Sequence, residues 1–282
     1  MKKGNRKKKF LTILILFIIW VITRNYYYEY KFRNIDNDKI LKQENSIMIP
    51  EPDKANLNRL AKSNQNIAII MKNKDKYPQI LLEMLSRNLD MTDYVLGYEE
   101  NKGQVYSNKI GSVTKGEYPL LLQYDKRWGY AMYGDDVIAI NGCGPTAIAI
   151  IIAGLTGRND ITPYDVATYS YNNGYYQSGT SWSFFTKGVK YFGITGTEIA
   201  LSKSKMISEL KNGHPIICSM GKGDFTTTGH IIAITGLKNN KFIIRDPNSK
   251  TRSSEVWSYE RLEPQIKNLW SYQANIVNNN NY

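Results

Sequence analysis

The order of the sequence patterns predicts that the chain folds as an α+β protein, with an N-terminal helical part packed on an antiparallel sheet. Apolar residues recur at helical spacing up to about residue 212, whereas short β-branched runs follow at 215–219, 230–235 and 242–245. Helices first and strands second are typical of the α+β class. With 282 residues and 42% hydrophobic content, the chain is long enough for one large domain, or for a domain with an extension.

The N-terminus has the charge pattern of a membrane-targeting signal. Residues 1–9 contain six Lys or Arg and no acid, and a largely apolar stretch of 14 residues follows. The stretch is shorter than the roughly 20 residues of a full span, but no small-residue cleavage site follows and four nearby tyrosines suit the interface. We expect an uncleaved anchor over residues 10–28, a cytoplasmic tail at 1–9, and the rest outside the cell membrane; a cleaved segment would make the protein secreted.

The net charge of +12 is unevenly distributed, and residues 1–9 carry half of it. Residues 10–110 contain 14 basic and 12 acidic side chains, and residues 111–282 contain 17 and 13. Because no basic stripe stands out in either part, we expect no nucleic-acid binding. The chain has two histidines and two cysteines and lacks C-x-x-C and H-E-x-x-H motifs, so we expect neither a metal site nor a cofactor.

Composition changes twice between the N-terminal segment and the main domain. Residues 29–65 are polar and interrupted by two prolines, which predicts a stalk with little secondary structure. After Pro78 in particular, apolar side chains recur at helical spacing. We expect a helical extension over residues 66–114 that packs on a domain spanning residues 115–275.

The first helix of this domain is predicted to begin at the segment 141–146, Asn-Gly-Cys-Gly-Pro-Thr, because the residues after it are almost wholly apolar. Pro145 suits the first helical position, since its φ is fixed and its missing N–H loses no hydrogen bond. Unpaired amides and aligned dipoles at a helix start favour an anion, here a thiolate of Cys143. A free cysteine is more often simply a small buried residue, so position alone does not assign a function.

Local signals predict three more helices before the strands. Thr162-Pro163 followed by Asp165 has the pattern of a capping box, and Ser181 before a run of aromatic residues suggests another helix start. Residues 202–212 have helical spacing and are followed by a glycine. Beyond this point the periodicity becomes that of strands.

One of the two histidines has an informative position. His230 opens a strand and is followed by core residues, whereas His214 lies in a turn and is expected at the surface. In a hairpin with a three-residue loop, 238–240, Ile232 faces Asp246, and His230 and Asp246 share one face about 7–8 Å apart. A two-residue loop would turn Asp246 to the other face, so the pairing requires an odd loop or a bulge near Asp246. Alternatively, the side chain of Asp246 only stabilises the Asp246-Pro247 turn by bonding to its own backbone.

Cys143, His230 and Asp246 together fit one mechanism of amide hydrolysis. His230 would take the proton of the thiol and later protonate the departing amine, while Asp246 orients the ring. Water then hydrolyses the thioester. The oxyanion needs donors, and the N–H of Cys143 and the side-chain amide of Gln123 are candidates.

Four motifs occur in a recognisable order: Leu122-Gln123-x-Asp125-x-x-Trp128, Gly142-Cys143-Gly144-Pro145-Thr146, Gly229-His230 and Asp246-Pro247. Together they resemble the papain-like cysteine peptidases related to the bacteriocin-processing, double-glycine leader peptidases, over about residues 115–272. The resemblance implies a papain-like fold, with Gln123 in the oxyanion hole, Cys143 as nucleophile, His230 as base and Asp246 as third member. Members of that family that remove the leader peptides of bacteriocins are fused to an ABC transporter. This chain lacks an ATPase motif, so leader processing is not carried over.

The sequence leaves three other functions open. An acyltransferase would use the same residues with an amine in place of water, and a non-catalytic module would bind a peptide or the cell wall on the same fold. A cell-wall endopeptidase of the NlpC type is the third, although its characteristic motif is missing. A disulfide between Cys143 and Cys218 is also possible outside the cell. We expect a membrane-anchored cysteine peptidase acting on a peptide or cell-wall peptide.

Overall fold

The computed structural model describes residues 54–275 and the single residue Thr23. Residues 54–275 lie within one unit of the chain, Met48–Tyr282. The predicted tail, the rest of the predicted anchor and the predicted stalk before residue 54 are outside the described residues. Within the part that is described, no helix has the length and apolar character needed to cross a bilayer.

In the described residues, five α-helices precede the main domain. The first begins at Lys54, inside the segment predicted as a stalk, because Leu57 is fully buried among the following helices. Asn64 caps the second helix by accepting a hydrogen bond from the N–H of Ile67 at 3.1 Å. The five helices are α1 (Lys54–Leu60), α2 (Gln65–Lys72), α3 (Gln79–Arg87), α4 (Thr92–Leu96) and α5 (Tyr98–Asn101).

The helical extension, residues 54–101, shares an apolar core with the main domain. Leu85 of α3 and Tyr94 of α4 lie in one buried cluster with Tyr130 and Val137. The rings of Tyr94 and Tyr130 stack at 4.3 Å, and the Tyr130 hydroxyl donates to the carbonyl of Tyr94 at 2.9 Å. The extension is therefore built into the fold of the domain.

A buried helix runs through the centre of the domain. Its residues 145–153 are all buried, as their apolar sequence predicts. Gly157, with a φ of 78°, ends this helix in a left-handed conformation, and its N–H donates to the carbonyl of Ala153 at 2.8 Å. The elements in this part are β1 (Met132–Tyr133), β2 (Asp136–Val137), α6 (Ile138–Asn141) and the central helix α7 (Cys143–Thr156).

Two of the three remaining helix predictions are confirmed, and one is wrong. The capping box of Thr162 and Asp165 is present, and Ser202 caps the last of these helices. The segment after residue 181 instead forms two 3₁₀ turns, the second of which begins at Gly188, a residue with low helix propensity, and ends at Gly193 in a left-handed conformation. The elements are α8 (Pro163–Asn172), the 3₁₀ turns Trp182–Phe185 and Gly188–Phe192, and α9 (Lys203–Lys211).

An antiparallel sheet of six strands follows α8 in the described chain. The predicted strands at 215–219, 230–235 and 242–245 correspond to three of them. Side by side, the strands lie in the order β3-β8-β4-β5-β6-β7. They are β3 (Ile194–Glu198), β4 (Ile216–Met220), β5 (His230–Lys238), β6 (Lys241–Arg245), β7 (Val256–Trp257) and β8 (Ile266–Ala274), and the short helices α10 (Lys250–Ser254) and α11 (Tyr259–Leu262) lie among the last three.

Both faces of the sheet are covered by other elements. One face carries Ile217, Ile231 and Trp270 and packs against α7. The other carries Cys218 and Phe242 and lies in a separate cluster with side chains of α9 and α11. This arrangement of helices around an antiparallel sheet confirms the predicted α+β class.

The hairpin of β5 and β6 differs from the predicted one in its loop. Asn239 and Asn240 form a two-residue turn with φ of 52° and 58°, and Lys238 pairs with Lys241. Two asparagines tolerate the left-handed conformation that this tight turn requires. The predicted loop of three residues is therefore wrong.

A bulge in β5 nevertheless brings Asp246 to the expected face. The register shifts at Thr235, and beyond it Ala233 pairs with Arg245. Asp246 follows Arg245 directly and so falls on the face of β5 that carries His230. The extra residue lies in the middle of β5, and not near Asp246 where the sequence placed it.

Candidate active site

Cys143 is the first residue of α7 and lines a surface cleft. Gly142 at the N-cap has no side chain that caps the helix, and the N–H of Cys143 has no acceptor within α7. Pro145, predicted at the first helical position, is the third residue of the helix. The half-buried thiol thus lies at the start of α7 and lines the cleft.

His230 begins β5 beside Cys143, with only 8% of its surface exposed. Its Nε2 lies 2.7 Å from Oδ1 of Asp246, which leaves Nδ1 as the ring nitrogen available to the thiol. Burial of the ring lowers its pKa, but the charge and hydrogen bond of Asp246 and the adjacent Cys143 outweigh burial and raise the pKa of His230 to about 9. The surroundings therefore favour the imidazolium form.

Asp246 is fully buried, and its carboxylate is satisfied by three donors. Oδ1 accepts from His230 and, at 2.7 Å, from the N–H of Asn248. Oδ2 accepts from Nε of Arg252 at 2.5 Å. Burial raises the pKa of Asp246, but the charges of Arg252 and His230 lower it by more. The pKa of Asp246 is therefore about 2, below its ordinary value. Asp246 is an ionised group that orients and stabilises the ring of His230.

Arg252 and Asn248 are parts of this site that the sequence analysis missed. Ser249 begins α10 by accepting a hydrogen bond from the N–H of Arg252 at 3.1 Å, and this turn returns the guanidinium to Asp246. The serine cap was visible in the sequence, but the ion pair depends on the position of β6 and was not. The helix start directly after Asp246 thus supplies the countercharge of the buried acid.

Gln123 lines the same cleft and is almost fully buried. Its Nε2 donates to the carbonyl of Ala139 at 2.6 Å, and its backbone N–H donates to the carbonyl of Pro247 at 2.8 Å. Its Oε1 has no hydrogen-bond partner in residues 54–275. The structure thus brings all four predicted site residues, Gln123, Cys143, His230 and Asp246, to one place, and the Gln123 amide donates to Ala139 there.

The cleft has a volume of about 380 Å³. Cys143, His230 and Gln123 contribute to its lining from the main domain, and the loop 225–229 lies at their side. Another part of the lining comes from α3 of the helical extension. The cleft is therefore formed jointly by the extension and the domain.

The second cysteine and the second histidine lie outside the cleft. Cys218 is fully buried in β4, and burial raises the pKa of its thiol. Both cysteines are free, so the alternative of a Cys143–Cys218 disulfide is wrong in this structure. His214 keeps 32% of its side-chain surface exposed, and its Nδ1 lies 2.8 Å from Oε2 of Glu209. Among the described residues, no cluster of three His, Cys, Asp or Glu is arranged as a metal site.

Comparison with protein families gives one match. The model described as the Peptidase C39 like family matches residues 115–276, which include Gln123, Cys143, His230 and Asp246. No curated protein matches the chain. The match begins after the helical extension, so α1–α5 lie outside it.

Two solved structures are similar to the chain at low sequence identity. The peptidase domain of Streptococcus ComA, described as a bi-functional ABC transporter involved in a quorum sensing pathway, is 23% identical, with a TM-score of 0.39 over 57% of this chain and 100% of that one. A putative C39-like peptidase from Bacillus anthracis is 16% identical, with a TM-score of 0.38 over 57% and 97% of the two chains.

Proposed function

The chain belongs to the Peptidase C39 like family, whose model matches more than half of its length, and we propose that it is an active cysteine peptidase with Cys143 as nucleophile. The fold is accordingly papain-like, and the family supports peptide-bond hydrolysis. The proposal goes further in assigning the activity to this chain and a role to each residue of the cleft.

One observation carries the proposal: His230 lies between Cys143 and the buried, ionised Asp246. Nε2 of the ring is engaged by Asp246, so Nδ1 accepts the proton of the thiol. The raised pKa of His230 favours the imidazolium that forms when Nδ1 takes this proton. A buried acid that fixes the tautomer and stabilises the ring charge is the arrangement that cysteine and serine hydrolases share.

Acylation follows from this pair. The sulfur of Cys143 attacks the carbonyl carbon of the peptide bond, and its electrons displace the carbonyl π pair onto oxygen. The N–H of Cys143 donates to the oxyanion, and Nε2 of Gln123 donates its second hydrogen once that hydrogen leaves the carbonyl of Ile140, a weak acceptor at 3.5 Å. When the intermediate collapses, His230 gives its proton to the departing amine, and a thioester remains on Cys143.

Deacylation reverses the proton movements. Neutral His230 takes a proton from water, the resulting hydroxide attacks the thioester carbon, and the imidazolium returns the proton to the sulfur as the acid product leaves. Asp246 stays ionised throughout, because Arg252 and His230 stabilise its charge.

We further propose that this chemistry takes place outside the cell membrane, on a peptide or cell-wall peptide. Support comes from the sequence: the basic residues 1–9 precede the apolar start of segment 10–28, which favours a cytoplasmic N-terminus and an outward domain. Proteolysis of intact cells that removes the domain without lysis would agree with this orientation. Protection of the domain until the cells are lysed would contradict it.

The test of the catalytic assignment uses full-length protein in detergent. A thiol-reactive electrophile and a library of internally quenched peptides are applied to the wild type, Cys143→Ala and Cys218→Ala. We expect the first variant to lose both labelling and cleavage, and the second to keep both, since Cys218 is buried away from the cleft. Equal labelling of wild type and Cys143→Ala would refute the nucleophile.

A further inference from the structure

The helix α3 presents two different faces. Leu81 and Leu85 point into the buried core of the extension, whereas the side chains at spacing i, i+3, i+4 and i+7 on another face line the active-site cleft. Those cleft residues are Ile80, Glu83, Met84 and Arg87. Because α3 precedes the region matched by the family, this wall of the cleft belongs to the extension of this chain.

Arg87 is a cation in the cleft wall. It is half-buried, and its Nε is buried without a hydrogen-bond partner in the described residues. Glu83, one turn earlier, is placed for an i,i+4 ion pair but accepts instead from Nε2 of Gln79 at 2.7 Å. A buried Nε–H without an acceptor carries a desolvation penalty, and an anion bound to the rest of the guanidinium would compensate the charge of the whole group.

The end of α3 is tied to the catalytic loop. Nδ2 of Asn88 donates to the carbonyl of Asn248 at 2.8 Å, and the N–H of Asn248 donates to Asp246 at 2.7 Å. Arg87 is therefore adjacent in the chain to Asn88, which is hydrogen-bonded to the loop that carries Asp246 and so positions His230. Oδ1 of Asn248 is also buried without a partner in the described part of the chain, and other atoms of this residue line the same cleft. Arg87 and Asn248, each with one unpaired buried polar atom, thus belong to the wall of the cleft that contains the thiol.

We propose that Arg87 is a specificity-determining residue that binds a carboxylate of the peptide substrate. The inference rests on the proposed peptidase function, because it names the substrate class of the same cleft. A carboxylate matches the planar donors of a guanidinium, whereas a neutral carbonyl leaves its charge uncompensated. Met84 and Ile80, one and two turns before Arg87, contact the apolar part of the same peptide. The carboxylate is an acidic side chain or the free C-terminus.

Binding to the full-length Cys143→Ala variant tests this without turnover. The probes are fluorescent hexapeptides in which one position at a time is Glu or Gln, together with a C-terminal acid and amide pair. We expect one of these pairs to show about tenfold tighter binding of the acid, as a charge-assisted hydrogen bond provides. Arg87→Met in the same background should abolish the preference, and Arg87→Lys should keep part of it. The pair that discriminates identifies which carboxylate is recognised.

Lys76→Met is the matched control, since it removes an exposed cation of the extension outside the cleft. It should leave the preference unchanged, and the melting temperature of each variant reports whether the fold is intact. The inference fails if no peptide binds, if no pair discriminates, or if folded Arg87→Met retains the preference. Cleavage by the wild type separates the two proposals: Arg87-dependent binding without any cleavage refutes the peptidase, and cleavage without a carboxylate preference refutes the role of Arg87.

Discussion

Arg252 decides whether the acid of the catalytic site can remain charged. Asp246 is fully buried, and burial alone would favour its protonated form, which could not stabilise an imidazolium. The ion pair with Arg252 at 2.5 Å reverses that preference. The sequence showed Asp246 and His230 as a pair, but the third charge comes from a turn whose position depends on the tertiary fold.

Arg252→Met should therefore damage both stability and catalysis. We expect the free energy of unfolding to fall by about 3–5 kcal/mol, because the carboxylate of Asp246 is left buried with one countercharge fewer. The pKa of Asp246 should rise, so that residual activity is lost at a higher pH on the acid side. Urea titrations and pH profiles of kcat/KM measure both effects.

Arg261→Met provides the control, because Arg261 forms a partly buried ion pair with Asp224 outside the catalytic triad. It should lower stability without moving the acid limb of the profile. An unchanged acid limb in Arg252→Met would contradict the role assigned to Arg252.

The titration of His230 predicts how stability and activity depend on pH. Its folded-state pKa, about 9, lies above an unfolded value of about 6.5. Its contribution to stability is therefore complete below about pH 6.5 and is lost as pH rises through about 9. Activity should decline over the same upper range, since the imidazolium is lost. Thermal unfolding and kcat/KM measured from pH 6 to 10 test this, and Asp246→Asn should shift the decline of activity to lower pH.

At the scale of elements, the start of α7 leaves no room for a side chain on either residue next to Cys143. A Cβ on Gly142 would lie 2.5 Å from the carbonyl oxygen of Ile138, and one on Gly144 would lie 2.6 Å from Oγ1 of Thr180. That hydroxyl also bonds with the hydroxyl of Tyr133 at 2.8 Å. The glycines on both sides of Cys143 are thus required by packing, and not only by the flexibility of a turn.

Gly144→Ala should consequently displace the start of α7. We expect a loss of about 1–3 kcal/mol in stability from overpacking, and a fall in kcat/KM as Cys143 moves relative to His230. Adding Thr180→Gly removes the clashing side chain and should restore part of the activity. If Gly144→Ala alone left kcat/KM unchanged, the proposed constraint would be wrong.

The hairpin of β5 and β6 shows how far the sequence predicts an element. The hydrophobic pattern predicted both strands, whereas the shared face of His230 and Asp246 was predicted only on condition of an odd loop or a bulge. It did not give the loop length, since Asn239 and Asn240 allow several turns. Gly236 was a signal for the bulge next to it, because an isolated glycine in a strand often marks one. The strands β3 and β8 were not predicted, because polar residues within them obscure the alternation of apolar and polar side chains that indicates a strand.

At the scale of the whole molecule, the helical extension completes both the core and the cleft. Its buried residues share one cluster with Tyr124, Tyr130 and Val137 of the main domain. The sequence predicted an extension that packs on the domain, but a single sequence contains no distance between α3 and Cys143. The cleft wall could therefore be found only in the folded structure.

A fragment of residues 110–276, which keeps the matched region, should be much less stable than residues 54–276. Removing the extension exposes the apolar side chains that it covers, at a cost of about 25 cal/mol per Å² of apolar surface. We expect a lower melting temperature and aggregation, measured by thermal unfolding and gel filtration of both fragments. A monomeric short fragment with the stability of the longer one would show that the extension folds as a separate unit.

The two thiols differ in a way that bears on oxidative damage. The chain has only two cysteines, and Cys218 is fully buried in the sheet, apart from the cleft of Cys143. Peroxide in the cleft would convert Cys143 to a sulfenic acid, and no second cysteine is placed to resolve it as an internal disulfide. Recovery of the enzyme from oxidation therefore depends on a small thiol or a reductase supplied by its surroundings.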